Sequence, residues 1–141
     1  MTVGGFAVSL PVSIAGRVFS GMGKGRYYVG HPEYQRRFEE SLGYRPYPGT
    51  LNVKLAGEED IARLRRLRAT EGVRISGFMV DGESMSALRC FNGEMKGERV
   101  TLLFIDVTHY NDTVSELISP VFLRGKFGIK DGDVVEFTAG E

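Results

Sequence analysis

The apolar residues of this chain come in short runs, each closed by glycine, proline, asparagine or aspartate, and this punctuation restricts it to a fold built mostly of short strands. Residues 12–20 are β-prone and run directly into Gly21. Residues 49–55 alternate apolar and polar, as a half-buried strand does. Residues 73–80 and 86–91 read as strands about a turn near Asp81-Gly82, and Asn92-Gly93 carries a tight-hairpin signal. Residues 99–107 form the strongest strand, with Val100, Leu102, Phe104 and Ile105 as its apolar content. Residues 115–119 form another, ended by Pro120, and Asp131-Gly132-Asp133 turns into a last strand over 134–138. Helical periodicity is confined to residues 31–42, where Tyr34, Phe38 and Leu42 recur at four-residue spacing, and residues 58–70, where Ile61, Leu64 and Leu67 recur at three. Pro32 suits the first turn of the former and Gly43 its stop. Residues 122–127 have room for one turn. The expectation is a mainly β protein with a few short helices, closed as a barrel or sandwich.

A length of 141 residues fits one domain, and no repeat or linker divides it. We expect a single domain over residues 1–141, with 1–11 a short N-terminal extension. Eighteen Lys plus Arg balance eighteen Asp plus Glu, which argues against a protein that coats nucleic acid or an anionic membrane. Cys90 is the single cysteine, so neither an internal disulfide nor a cysteine metal site is expected. No run approaches the roughly 18 apolar residues of a membrane span, and the N-terminus lacks a basic region and a cleavage site. A cytoplasmic location is expected.

Two segments carry chemistry. Gly21-Met22-Gly23-Lys24-Gly25-Arg26 alternates glycine with other residues, two of them basic. Glycine admits close backbone approach, and successive free N–H groups form an anion-binding concavity. The spacing is neither that of a P-loop nor that of a dinucleotide fingerprint. The segment could equally be an ordinary loop with solvated charges. The second segment, Tyr47-Pro48-Gly49-Thr50-Leu51-Asn52, places a hydroxyl and an amide oxygen two residues apart, on one face if this is a strand. Hard oxygen ligands of this kind suit Mg²⁺, which keeps waters and substrate phosphates as its other ligands. Thr50 and Asn52 could also merely begin a strand. Glu116 sits in an otherwise apolar strand, where a buried carboxylate costs free energy unless paired or used; an outward-facing edge glutamate is the alternative.

The ordered set of residues 21–27, residues 43–52 and Glu116-Leu117-Ile118-Ser119-Pro120 with Leu123-Arg124 resembles the archaeal CTP-dependent riboflavin kinases, over residues 16–137. The resemblance implies a cradle-loop (riboflavin-kinase-like) β-barrel that transfers the γ-phosphoryl of CTP to the 5′-hydroxyl of riboflavin, giving FMN and CDP. It implies that Gly21, Met22, Gly23, Lys24, Gly25 and Arg26 hold the nucleotide, that Val121, Phe122, Leu123 and Arg124 close on it, and that Thr50 and Asn52 bind Mg²⁺. Thr108 and Glu116 would contact the flavin, with Glu116 the candidate base. The partners it implies are riboflavin, FMN, CTP and CDP; from charge and hydropathy neither nucleic acid nor membrane is expected as a partner, and the sequence leaves the oligomeric state open, a monomer included. Ser119 stands where relatives often have alanine, and too few residues precede Val12 for the winged-helix domain that some relatives carry.

Two other classes compete. Residues 123–135 resemble the swapped-hairpin β-domains of bacterial DNA-binding regulators, which speaks to fold and not to function. A non-catalytic flavin-binding module would bind riboflavin without consuming CTP. Tyr27, Tyr44, Tyr47 and Phe104 are candidate faces for a flavin or pyrimidine ring, with core packing the alternative for each.

Overall fold

The computed structural model describes residues 2–3, 6–7, 10–105 and 113–140. Strands β1 (Thr2–Val3) and β2 (Phe6–Ala7) form a small antiparallel pair. Then follow β3 (Val12–Phe19), α1 (Lys24–Val29), α2 (Pro32–Leu42), β4 (Leu51–Lys54) and α3 (Glu58–Arg68). Strands β5 (Val73–Ile75), β6 (Phe78–Val80), β7 (Glu83–Met85), β8 (Leu88–Met95), β9 (Glu98–Ile105) and β10 (Val114–Ile118) come next, and α4 (Leu123–Phe127) and β11 (Val134–Ala139) end the chain. The main sheet has seven strands in the order β11-β3-β4-β10-β9-β8-β5, and every pairing in it is antiparallel. The class is the expected one: mainly β, with short helices.

The sheet coils until β11 reaches the second half of β8, beyond the part that β5 covers. Gly140 N donates to Asn92 O at 2.9 Å, and Glu94 N donates to Thr138 Oγ1 at 3.1 Å. No main-chain ladder joins β8 to β11 among the described residues, so the sheet is drawn together at this seam by a few bonds and not closed by continuous pairing.

The seam explains one misread signal. Asn92-Gly93 is not a hairpin turn; it lies inside β8, opposite Thr101 and Val100 of β9. The β8–β9 turn is Lys96-Gly97, with φ of 50° and 78°, the pair of positive angles that a tight two-residue turn requires. Gly93 is glycine because β11 passes over it: a Cβ there would stand 1.7 Å from the carbonyl oxygen of Thr138. The run 73–80 also differs from expectation. It breaks at Gly77 into β5 and β6, and only the latter pairs with β7 across the expected Asp81-Gly82 turn.

Both faces of the main sheet are covered. The inner face encloses Ile14, Val18, Val53, Leu102, Leu117 and Phe137, with Leu64 and Leu67 of α3 added to it. The outer face is covered by α2, whose Tyr34, Phe38 and Leu42 pack with Cys90, Leu103 and Ile118. Period-two alternation sorts β10 between them, Leu117 inward and Ile118 outward. Helix α2 begins as its sequence indicates: His31 Nδ1 accepts a hydrogen bond from Glu33 N at 3.1 Å, Pro32 opens the first turn, and Gly43 ends the helix at φ 84°. Helix α3 carries Glu58, Glu59 and Asp60 in its first turn and Arg65, Arg66 and Arg68 in its last, an arrangement that complements the helix dipole. Among the described residues no helix is long and apolar enough to cross a membrane.

Candidate functional site

Thr50 and Asn52 come together at the start of β4, Thr50 just ahead of the strand and Asn52 its second residue. Thr50 Oγ1 lies 3.3 Å from Asn52 Oδ1, so the hydroxyl and the amide oxygen do share a face. The glycine segment packs directly on this pair. A Cβ on Gly21 would lie 2.6 Å from Asn52 Nδ2, and one on Gly25 would lie 2.5 Å from Thr50 Oγ1. The two glycines are therefore needed for close approach of the backbone to these two side chains. The segment is only partly a loop. Gly23 takes a left-handed conformation at φ 82°, and Lys24 already opens α1. Gly25 and Arg26 are thus helical residues.

Glu116 on β10 stands opposite Asn52 on β4, and opposite Leu103 on its other side. Directly opposed residues of an antiparallel pair have Cβ atoms about 4.5–5.5 Å apart. The Glu116 side chain is half-buried, and burial pushes its carboxyl above the ordinary carboxylate range. It forms no hydrogen bond or ion pair among the described residues, so nothing there offsets the cost of its charge.

These groups face one cleft of about 490 Å³, which also takes in Ser20, Met22, Gly23, Lys24, Arg26, Tyr47 and Val121 to Arg124. The expected nucleotide, metal and base residues thus line a single cavity, drawn from four separated stretches of chain. Leu123 is buried in the inner core. Thr108 lies outside the described residues. Of the four candidate ring faces, only Tyr47 lines the cleft. Phe104 belongs to the inner core. Tyr44 packs beside the outer core and bonds Thr101 Oγ1 at 2.6 Å.

Several features of the site left little trace in the sequence. Tyr47 stacks on Phe122, with ring centroids 5.0 Å apart at the lip of the cleft. The Gln35 side-chain amide donates to Val29 O at 2.6 Å and to Pro46 O at 2.8 Å. It thereby ties the end of α1 and the start of the 46–50 turn to α2. Arg124 is held by Asp131 at 2.8 Å, and Ser20 Oγ donates to both Asp131 oxygens, at 2.9 and 2.8 Å. A polar residue at the end of a strand and an aspartate in a turn look ordinary in a sequence; only the fold brings them together. A second concavity, of about 350 Å³, lies over Glu58, Glu59, Ala62, Arg63 and Arg66 of α3. Its charges pair along their own helix, Arg63 with Glu59 at 3.3 Å, as on a solvated face.

The chain was compared with known proteins. Residues 18–139 match the CTP-dependent riboflavin kinase family, described as a domain of unknown function, DUF120. The chain is 43% identical over 125 residues to a riboflavin kinase of Archaeoglobus fulgidus, covering 89% of this chain and 53% of that protein. It is 42% identical over 131 residues to a riboflavin kinase of Thermofilum pendens, covering 89% and 57%. For the riboflavin kinase of Methanosarcina mazei the identity is 39% over 124 residues, covering 88% and 55%. The chain spans between half and three-fifths of the length of these relatives. The cleft occupies the matched region, and the chain belongs to the CTP-dependent riboflavin kinase family.

Proposed function

We propose that the cleft transfers the γ-phosphoryl group of CTP to the ribityl 5′-hydroxyl of riboflavin, giving FMN and CDP. The observation that carries this reading is the convergence of Gly21, Gly25, Thr50, Asn52 and Glu116 from three remote segments, with the glycine backbone against the two oxygen donors and the carboxyl across from them. Phosphoryl transfer asks chiefly for positioning and charge neutralisation, with little covalent chemistry from the protein. Lys24 and Arg26 are exposed at the cleft and form no ion pair among the described residues, so their charge is available to an anionic ligand. Glu116 would orient the ribityl hydroxyl and accept its proton as the new O–P bond forms and the β,γ-bridging P–O bond breaks. Thr108 is proposed as a flavin contact on the family resemblance alone.

The donor set fits Mg²⁺. Adjacent ligands of an octahedral ion with bonds of about 2.1 Å are roughly 3.0 Å apart, and the Thr50 and Asn52 oxygens are 3.3 Å apart. Among the described residues no cluster of three acidic, histidine or cysteine side chains competes for the ion. When bound, the ion would offset charge on the transferring phosphoryl group. Both protein ligands are neutral, so its affinity should depend on the nucleotide. Asn52→Ala or Thr50→Val is expected to raise the Mg²⁺ concentration needed for half-maximal turnover while leaving riboflavin binding nearly unchanged. Full activity of either variant at limiting Mg²⁺ would remove the ligand assignment.

The direct test is to mix the protein with riboflavin, Mg²⁺ and each nucleoside triphosphate and look for FMN. CTP should be preferred over ATP. A site that pairs with the cytosine edge leaves buried polar groups unsatisfied with a purine, at about 1–3 kcal/mol each. Equal turnover with ATP at subsaturating concentration would remove the CTP assignment and keep the kinase. The DNA-binding alternative has less support: eighteen basic residues are balanced by eighteen acidic ones, and Lys126, in the stretch that resembles the regulators, is paired with Glu98. Binding to duplex DNA with a steep salt slope would revive it.

A further inference from the structure

Asp131 is not among the residues that line the cleft, yet it joins three elements around it. Its Oδ1 accepts from Arg124 Nη2 of α4 at 2.8 Å, and both its oxygens accept from Ser20 Oγ, where β3 passes into the glycine segment. The turn that carries it is anchored to β3 in turn: Gly132 N donates to Val18 O at 2.8 Å, and Val18 N donates to Asp133 O at 2.9 Å. Arg124 Nη2 reaches Phe19 O and Ser20 Oγ as well, each at 3.4 Å. Every one of these Arg124 bonds uses the same nitrogen. Nε and Nη1 have no partner among the described residues, and the residue lines the cleft. A guanidinium held at one corner presents its remaining donors in a fixed fork, the geometry that suits phosphate. The hydrogen bond from Ser20 and the neighbouring Arg124 hold the Asp131 carboxyl below the usual range, so it stays ionised in working conditions.

We propose that Asp131 is a positioning residue for the nucleotide: it clamps Arg124 to the exit of β3, so that α4 and the glycine segment present their donors to the phosphates as one unit. The proposal rests on the nucleotide reading given above. The clamp is exposed, with Asp131 at 56% side-chain exposure, so it should contribute little to global stability. Loss of stability and loss of binding are therefore separable here.

The test is steady-state kinetics, CDP calorimetry and thermal melting on Asp131→Asn, with Asp131→Glu as the conservative variant. Asp133→Asn serves as a control: Asp133 Oδ2 accepts from Lys130 N and does not touch Arg124, so the substitution removes a charge from the same turn without disturbing the clamp. Asp131→Asn is expected to raise KM for CTP about tenfold, the size of a lost charged hydrogen bond, with kcat, KM for riboflavin and melting temperature nearly unchanged. Asp131→Glu should recover part of the loss, and Asp133→Asn should show none. In an Arg124→Gln background the Asp131→Asn substitution should add little, because its effect runs through the arginine. Unchanged KM for CTP in an active enzyme overturns the clamp and leaves the kinase reading intact. A parallel fall in kcat, riboflavin affinity and melting temperature assigns Asp131 a structural role and also overturns it. Wild-type protein that binds neither CTP nor CDP overturns the clamp and the nucleotide reading together.

Discussion

Glu116→Gln is expected to lower the single-turnover rate of FMN formation by roughly 10²–10⁴-fold, the usual contribution of a general base, while riboflavin and CTP still bind. Glutamine keeps the size and a hydrogen-bond acceptor but cannot take the proton. Burial gives the prediction a second, opposite-signed part. The Glu116 carboxyl is raised above its ordinary value by desolvation, so the folded state holds this proton more tightly than the unfolded chain. Its contribution to stability is fully present below the unfolded pKa and is lost as pH rises through the higher folded pKa. Above that folded pKa the ionised carboxylate is a burden on the fold, and there the glutamine variant should melt at the same temperature as wild type or higher. Turnover in the wild-type enzyme should rise with pH through the raised pKa of Glu116, and this limb should vanish from the residual rate of the variant. A well-folded glutamine variant with a wild-type single-turnover rate removes the catalytic role. A variant that loses stability and keeps its rate identifies Glu116 as a packing residue.

Gly93→Ala is expected to be the most damaging Gly→Ala substitution among the described residues. The added carbon would meet the Thr138 carbonyl oxygen at 1.7 Å and the Ala139 Cα at 2.9 Å, both of them backbone atoms that cannot rotate away. Overpacking usually costs about 1–3 kcal/mol, and a clash with main chain belongs at or above the top of that range. The natural reserve is only about 5–15 kcal/mol. Urea unfolding should show a midpoint shift of that size, with turnover per folded molecule little changed. A variant that unfolds with wild type would mean that β11 does not lie over β8 as described.

Much of this was legible in the sequence, for identifiable reasons. Helix α2 announced itself through Pro32, Gly43 and the buried stripe Tyr34, Phe38 and Leu42, because cap, stop and core face are all local. The pairing of Thr50 with Asn52 followed from strand periodicity alone. Gly93 shows where local reading fails. Asn-Gly favours a turn when nothing else acts on it, but here a strand distant in sequence needs the space above the glycine. The turn fell to Lys96-Gly97, where a lysine accepts φ of 50°. The helical start of α1 at Lys24 was hidden for a similar reason, since glycines at 21, 23 and 25 read as flexibility. Two of the three are instead set by the side chains of Asn52 and Thr50 pressing against them. Asp131 meets Ser20 from 111 residues away, and Gln35 joins the backbone of two neighbouring elements; no local sequence pattern marks either.

The order of strands divides the sheet into a tightly held part and a loosely held one. Strands β4 and β10, which carry Asn52 and Glu116, each have a hydrogen-bonded neighbour on both sides. The seam between β8 and β11 rests on a few bonds, one of them to a side-chain hydroxyl. Breathing of the sheet is therefore expected to concentrate at that seam, while the spacing of Asn52 and Glu116 is kept by strands paired on both sides.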